Sequence, residues 1–398
     1  MPEKKILINE EIREIQGFKG LEKALSMSPD DVISEIKASG LRGRGGAGFP
    51  CGMKWELAQK APEEEKYLIC NADEGEVGTF KDRYLLQKNP FLLLEGMIIA
   101  AYAIGASIAY IYLRDEYHYL VQDLKKAIEQ CRIKGYLKNL EIEIQEGAGA
   151  YICGEESALM NSIEGKRGES RFKPPFPPQK GLFQKPTIIN NVETLSNVPL
   201  IIEKGAKWYS AMGTSESKGT KLFCVSGDVK NPGVYEMEMG CQLQELLDLA
   251  GAGNVKWVQV GGSTGAVIPF GMLQKPLCYE TVLGSGAVMV FDATRDVVDF
   301  VYRTLEFLNE ESCGKCTPCR EGTEVMVEIL GRMVNGEGVQ EDIDNLQVLS
   351  DTMIGAALCG LGQAAPTPVL DTLAYFRKDY EDRISQSVFL RSLKTING

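Results

Sequence analysis

Cys313, Cys316 and Cys319 stand at strict three-residue intervals in ESCGKCTPCREGT, residues 311–323, and a helical pattern starts directly behind them. A fourth thiol, Cys359, sits in the small-residue run AALCGLGQAAPTP. Thiolates this close on one turn converge on a point. Three ligands from a loop and one from far along the chain are a recurring way to hold an iron–sulfur cluster. The positive end of the helix that follows would face the cluster's negative charge. Two alternatives use the same residues. A structural zinc would take four thiolates, but it favours paired C-x-x-C knuckles, and here one loop supplies three. The other alternative is a set of reduced cysteines with no metal.

Two glycine-rich loops carry the second kind of chemistry. In GLRGRGGAGFPCGMKW, residues 40–55, Gly43, Gly45 and Gly48 satisfy G-x-G-x-x-G. The dinucleotide form of that pattern follows a strand, whereas DDVISEIKASG, just upstream, has helical spacing. Five glycines in residues 40–48 nevertheless expose backbone N–H groups, and Arg42, Arg44 and Lys54 add positive charge. Such a loop suits a phosphate or a flat ring lying against backbone; a mobile surface turn is the alternative. The strand KYLIC then runs into NADEGEVGTFKDR, residues 71–83. Asn71, Asp73, Glu74 and Glu76 therefore fall at a strand's carboxyl end, where open α/β sheets place ligands. A solvated acidic turn competes with that assignment.

The second loop, GAGAYICGEESALMNSIEG, residues 147–165, follows the strand LEIEIQ and opens a helix. Glu155 and Glu156 in its first turn either complement the helix dipole or bind donors such as ribose hydroxyls. Next comes the basic, proline-rich run KRGESRFKPPFPPQKGLFQKP. It reads as a rigid loop carrying Lys173 and Phe176 toward the same cleft, with a polyproline ligand as the alternative. TIINNVETLSNVP adds Asn190, Asn191 and Thr194 as polar candidates.

These residues need a scaffold, and 398 residues imply two or three domains. Residues 1–30 read as a strand and an irregular lead-in. A helix is expected over 90–104, started by Asn89 and Pro90, then a strand over 107–113 and a helix over 118–132. The stretch 91–113 is long enough to cross a membrane, but Glu95 would be costly in lipid and the pattern changes midway. It reads as a buried helix–strand pair. Short strands (KLFCVSG, GVYEME), a turn at Asn231–Gly233 and the helix CQLQELLDLAGA mark a small module over 219–270. From about residue 295 the pattern is helical.

Composition removes several function classes. A net charge of -12 disfavours a general nucleic-acid surface. The single histidine, His118, lies in a polar stretch that reads as surface. One histidine excludes a histidine-ligated catalytic zinc and a Ser–His–Asp hydrolase. Eleven cysteines in a chain this long do not form a secreted disulfide framework, and the N-terminus has no apolar signal core. A cytoplasmic protein, at most peripheral to a membrane complex, is expected.

GLRGRGGAGFP, CNADEGEVGTFKDR, GAGAYICGEESALMNSIEG, KPPFPPQKGLF, NNVETLSNVP and ESCGKCTPCREGT together resemble the family of NADH-oxidising flavoprotein subunits of complex I, shared with NAD-linked hydrogenases and formate dehydrogenases. The likeness runs in order from about residue 40 to the C-terminus. It implies an α/β fold with a Rossmann-like FMN/NADH-binding sheet domain over 1–205, a ubiquitin-like β-grasp module over 206–294, and a helical bundle binding a [4Fe–4S] cluster over 295–398. Carried over by motif, Gly43, Gly45, Lys54, Asn71, Asp73, Tyr151, Gly154, Asn190, Asn191 and Thr194 would hold FMN. Gly46, Phe49, Glu76, Glu156, Lys173 and Phe176 would shape the NAD(H) site, and Cys313, Cys316, Cys319 and Cys359 would bind the cluster.

The implied activity is hydride transfer between NADH and FMN, in either direction, then one-electron transfer to partner subunits. Those partners would be a small [2Fe–2S] thioredoxin-like subunit and a larger iron–sulfur, hydrogenase or dehydrogenase subunit. The chain has no cysteines for additional ferredoxin-like domains, so electrons are expected to leave to a separate subunit. Two positions depart from the family pattern. Leu57 stands where a second aromatic is frequent, which would weaken adenine stacking, and Cys51 stands where threonine is common. Other readings of the residues are an autonomous flavin reductase and a non-catalytic, metal-stabilised scaffold.

Overall fold

The computed structural model describes residues 5–8 and 13–384. Its first sheet grows from β1 (Tyr67–Ala72), whose buried run YLIC is flanked by β2 (Ile108–Leu113) and β4 (Thr187–Asn191), with β3 (Glu141–Glu146) outside β2. All three pairings are parallel, giving the order β3-β2-β1-β4. A strand in such a sheet is covered on both faces, which is why its sequence is apolar without alternation. Leu68, Cys70 and Ala72 enter one core, and Tyr67 and Ile69 enter another.

The first of those cores is built on the helix Pro90–Ile104, nearly every residue of which is buried. It packs on the helix Val192–Lys204 so closely that a Cβ on Gly96 would lie 2.1 Å from the Leu195 carbonyl oxygen. Glu95 is tolerated there because Arg13 Nε approaches it at 2.9 Å and Leu21 N–H donates to it at 3.0 Å. The stretch 91–113 is therefore the expected helix–strand pair. Among the described residues no helix is long and apolar enough to cross a membrane.

The expectation for residues 1–30 needs correction. Among the described ones there is no strand: Ile15–Gly17 forms a short 3-10 turn and Lys19–Leu25 a helix. Phe18, Leu21 and Ala24 recur at helical spacing and bury one face, a signal too short to stand out in the sequence. Residues 1–4 and 9–12, where part of that expectation falls, lie outside the described residues.

The module after residue 205 holds a second sheet, of β5 (Thr220–Gly227), β6 (Gly233–Glu238), β7 (Val255–Val260), β8 (Ala266–Pro269) and β9 (Ala287–Asp292). Their order is β6-β5-β9-β7-β8, with β5 and β9 parallel and the other neighbours antiparallel. The amphipathic helix Leu243–Ala250 lays Leu243, Leu246, Leu247 and Ala250 against it. Helices Val297–Glu310, Thr317–Val334, Gln340–Ala356, Gly360–Ala364 and Thr367–Tyr375 follow. They share a core with Tyr67, Ile69 and Tyr112 of the first sheet. The end of the expected bundle, 385–398, lies outside the described residues. His118 is exposed, as the sequence suggested, and pairs with Glu146.

Candidate cofactor cleft and cysteine loop

A cavity of about 290 Å³ opens at the carboxyl end of β1. Gly45, Asn71, Asp73, Glu76, Tyr151, Gly154 and Asn191, all singled out from sequence, line it. The second glycine loop is tied to the end of β1 there: Asn71 Nδ2 donates to the Gly154 carbonyl at 2.9 Å, while Asn71 Oδ1 accepts from Asp73 N–H at 3.1 Å. Burial pushes the Asp73 carboxyl up to about 7, against the pull of Arg114. Its Oδ2 is buried with no partner. Such an atom costs stability until a donor reaches it, which suits a ligand hydroxyl.

Glu76 is half-buried, and loss of solvent around it raises its pKa. Its carboxylate accepts from Ser263 N–H at 2.6 Å and from Tyr151 O–H at 2.9 Å. Glu155 caps the helix Glu156–Ile163, accepting from Ser157 N–H and Ala158 N–H at 3.0 Å each. That is the dipole role considered for it, and it lines the cavity as well. Glu156 lies between Lys54 Nζ at 3.1 Å and Lys173 Nζ at 2.7 Å. Burial opposes its charge, but the two ammonium groups outweigh burial and hold its pKa below the usual carboxylate value.

Gly43, Gly46, Phe49, Lys54, Glu156, Lys173, Phe176, Asn190 and Thr194 are not among the cavity's lining residues. Several of them brace it. Thr194 Oγ1 accepts from Arg44 N–H at 2.8 Å, and Lys54 Nζ donates to the Ile189 carbonyl at 2.9 Å. Asn190 is turned into the core, where Oδ1 accepts from Trp55 Nε1 at 2.8 Å beside Cys51 Sγ. Phe49 and Phe176 are about half exposed, at 49% and 51%. They and the exposed Leu57 leave apolar surface outside the cavity.

Sequence reasoning missed Lys81, Asp82, Ser285, Gly360 and Leu361, all of which line the cavity. Lys81 Nζ is buried against Asp82 at 2.7 Å and Glu193 at 3.1 Å, with Asn191 Oδ1 at 3.3 Å. Nothing local in FKDR marks the lysine; only its burial does.

Cys319 is buried and Cys313, Cys316 and Cys359 are half-buried, all unpaired thiols in one apolar cluster. Burial, then the neighbouring Cys316, Cys359 and Cys313, push the Cys319 thiol up to about 11, so these three thiols lie within electrostatic reach of Cys319. Arg167 Nη2 and Arg320 Nη1 donate to the carbonyls of Cys313 and Gly314 at 2.7 and 2.8 Å and fix the loop. Among the described residues no three His, Cys, Asp or Glu side chains gather tightly enough for a single metal ion. Three sulfur donors from one loop and a fourth from a remote turn, in one cluster, fit an iron–sulfur cubane. Gly360 and Leu361, which line the cavity, directly follow Cys359.

A ligand cavity at the carboxyl edge of a parallel sheet, walled partly by the two residues that follow Cys359, has the form of a nucleotide-cofactor site beside a cluster of four thiols. Residues 36–200 match the Nuo51 FMN-binding domain, 222–266 the SLBB domain, and 299–383 the NADH-ubiquinone oxidoreductase-F iron–sulfur binding region. The second F-type NADH-quinone oxidoreductase subunit of Rhizobium meliloti is 44% identical over 390 residues, covering 93% of this chain and 93% of its own. NADP-reducing hydrogenase subunit HndC of Solidesulfovibrio fructosivorans is 44% identical over 389 residues, covering 93% of this chain and 79% of its own. A solved NAD⁺-reducing [NiFe]-hydrogenase in the H2-reduced state superposes with a TM-score of 0.89 at 44% identity over 92% of this chain; the chain spans 64% of that hydrogenase chain. The chain belongs to the family of F-type NADH-quinone oxidoreductase flavoproteins. It carries an FMN-binding domain and a [4Fe–4S]-binding region.

Proposed function

We propose that this chain is the electron-input subunit of a multisubunit oxidoreductase, exchanging hydride with NADH and passing single electrons to partner subunits. The observation that carries the reading is the shared wall: Gly360 and Leu361 line the cavity and directly follow Cys359. A cofactor in the cavity and a cluster on the thiols would then be separated by little more than one turn of chain. FMN, when bound, supplies the conversion between a two-electron hydride and the single electrons that an iron–sulfur cluster accepts.

The protein's own part is positioning. Asn71, Asp73, Tyr151, Gly154, Asn191 and the backbone at Gly43 and Gly45 would hold FMN. Lys54, Asn190 and Thr194 act from outside the lining, by fixing the elements beneath it. Asp73 Oδ2 offers an unfilled acceptor, and Lys81 sets positive charge in the cavity wall. Gly46, Phe49, Glu76, Glu156, Lys173 and Phe176 would shape the nucleotide site, with the Lys54–Glu156–Lys173 chain presenting an ionised carboxylate to nucleotide hydroxyls. Cys313, Cys316, Cys319 and Cys359 would ligate the cluster.

The finer architecture belongs to the same proposal: an FMN/NADH domain over 1–205, a ubiquitin-like module over 206–294 and a helical bundle over 295–398. The order β6-β5-β9-β7-β8 around a parallel central pair supports the ubiquitin-like assignment. The partners we propose are a small [2Fe–2S] thioredoxin-like subunit and a larger iron–sulfur, hydrogenase or dehydrogenase subunit, in a cytoplasmic or membrane-peripheral complex. Anaerobically prepared, metal-supplied protein should contain iron and flavin and should bleach on addition of NADH. Stoichiometric zinc without iron would defeat the proposal.

A further inference from the structure

The glycine loop at residues 43–48 rests on the module after residue 205, where Tyr279 is the side chain that reaches its backbone. Tyr279, in the loop before β9, donates its hydroxyl hydrogen to the Gly43 carbonyl at 2.6 Å and accepts from Arg44 Nη1 at 3.2 Å. Its ring lies 4.1 Å beneath the Arg42 guanidinium, whose Nε donates to the Gly48 carbonyl at 2.6 Å. Gly48 has φ +65, and a Cβ there would fall 2.4 Å from the Tyr279 ring, so ring and backbone are in direct contact. The same module supplies Ser285 to the cavity wall and Ser263 N–H to Glu76.

Without this brace, a loop so rich in glycine would sample many conformations, and ligand binding would have to offset that entropy. Apart from Tyr279, the loop backbone is held by Gly43 N–H to the Phe49 carbonyl and Arg44 N–H to Thr194, while Arg44 Nη2 anchors the side chain on the Tyr209 hydroxyl and the Lys218 carbonyl. Tyr279 fixes the Gly43–Arg44 peptide from the face opposite Thr194. Tyr279 itself is held by its own N–H, which donates to Ser217 Oγ at 3.0 Å.

We infer that Tyr279 is a positioning residue that presets the glycine loop for the flavin, so that the middle module forms part of the cofactor site and is more than a spacer. This deepens the proposed function and rests on FMN occupying the cavity. The test uses the full-length, cluster-loaded chain stripped of flavin, titrated with FMN by its fluorescence, alongside amide hydrogen exchange of residues 41–50 without flavin.

Tyr279→Phe keeps the ring and removes the hydroxyl. It should raise the FMN Kd about five- to tenfold, as loss of one buried hydrogen bond does, and should speed exchange across 43–49. Its melting temperature should stay close to that of Tyr235→Phe, which loses a hydroxyl bonded to the Asn231 carbonyl in the same module. Tyr279→Leu, losing the ring as well, should weaken FMN further. Unchanged exchange at 43–49 in Tyr279→Phe, or an FMN affinity no lower than that of Tyr235→Phe, overturns the inference. Wild-type protein that takes up no FMN would instead sink the proposed function, and the exchange experiment would still decide the role of Tyr279.

Discussion

The main-chain N–H of Tyr151 donates to Glu311 Oε2 at 2.9 Å. Tyr151 lines the cavity, and Glu311 stands two residues before Cys313, so one hydrogen bond joins the cofactor wall to the cysteine loop. The Tyr151 ring also packs 5.4 Å from Phe307, on the helix that leads into that loop. These two contacts tie together two candidate sites built from remote parts of the chain, as electron transfer over a fixed distance would require.

Cys316→Ala should abolish the cluster without emptying the cavity. Cys316 caps the helix Thr317–Val334 and faces Leu358 N–H at 3.5 Å, but it does not line the cavity. Iron content and the reduced-cluster EPR signal should be lost, while flavin content stays within about twofold of wild type. Parallel loss of flavin would show that the two sites fold as one.

Glu156→Gln should raise the KM for NADH about tenfold, the usual cost of a lost charged hydrogen bond, and leave flavin content unchanged. Its carboxylate stays ionised through neutral pH because Lys54 and Lys173 hold its pKa down. The wild-type KM should therefore show no step from this group between about pH 6 and pH 8. Steady-state kinetics for both proteins would decide; equal KM values remove Glu156 from the nucleotide site.

Asp73 makes a pH prediction of the opposite sign. Its folded pKa is about 7 against an ordinary 3.8, so the folded state holds an extra proton between those values and stability falls as pH rises through that window. Asp73→Asn lacks this slope. In flavin-free protein its melting temperature relative to wild type should rise by about 2–4 °C between about pH 6 and pH 8. A difference that stays flat across that range would mean that Asp73 is ionised throughout.

Glu193→Gln should be the most destabilising of these changes. Fully buried Glu193 accepts from Lys221 Nζ at 2.6 Å and from Leu222 N–H at 2.8 Å, and it pairs with Lys81 at 3.1 Å. Removing its charge leaves two buried lysines facing one another with Asp82 and Glu74 against them. A loss of about 3–5 kcal/mol is expected, measured by denaturant unfolding, with weaker flavin retention because Lys81 lines the cavity. A loss of under about 1 kcal/mol would indicate that water reaches the site.

The sequence by itself determined the local parts. The cysteine triplet, the two glycine loops, β1 to β3 and the helix Pro90–Ile104 were legible because their signals are spacing and apolar runs within a few residues; β4, in TIINN, was not. The short helix Lys19–Leu25 was not, since seven residues carry too little periodicity. Tertiary structure alone decided which side chains face one another. Ser263 meets Glu76 across 187 positions, and Tyr279 meets Gly43 across 236. It also turned Asn190 into the core and brought Lys81 into the cavity wall. No local pattern encodes those pairings, because each arises where separately folded layers close on a common core, and burial then fixes which polar groups must find partners.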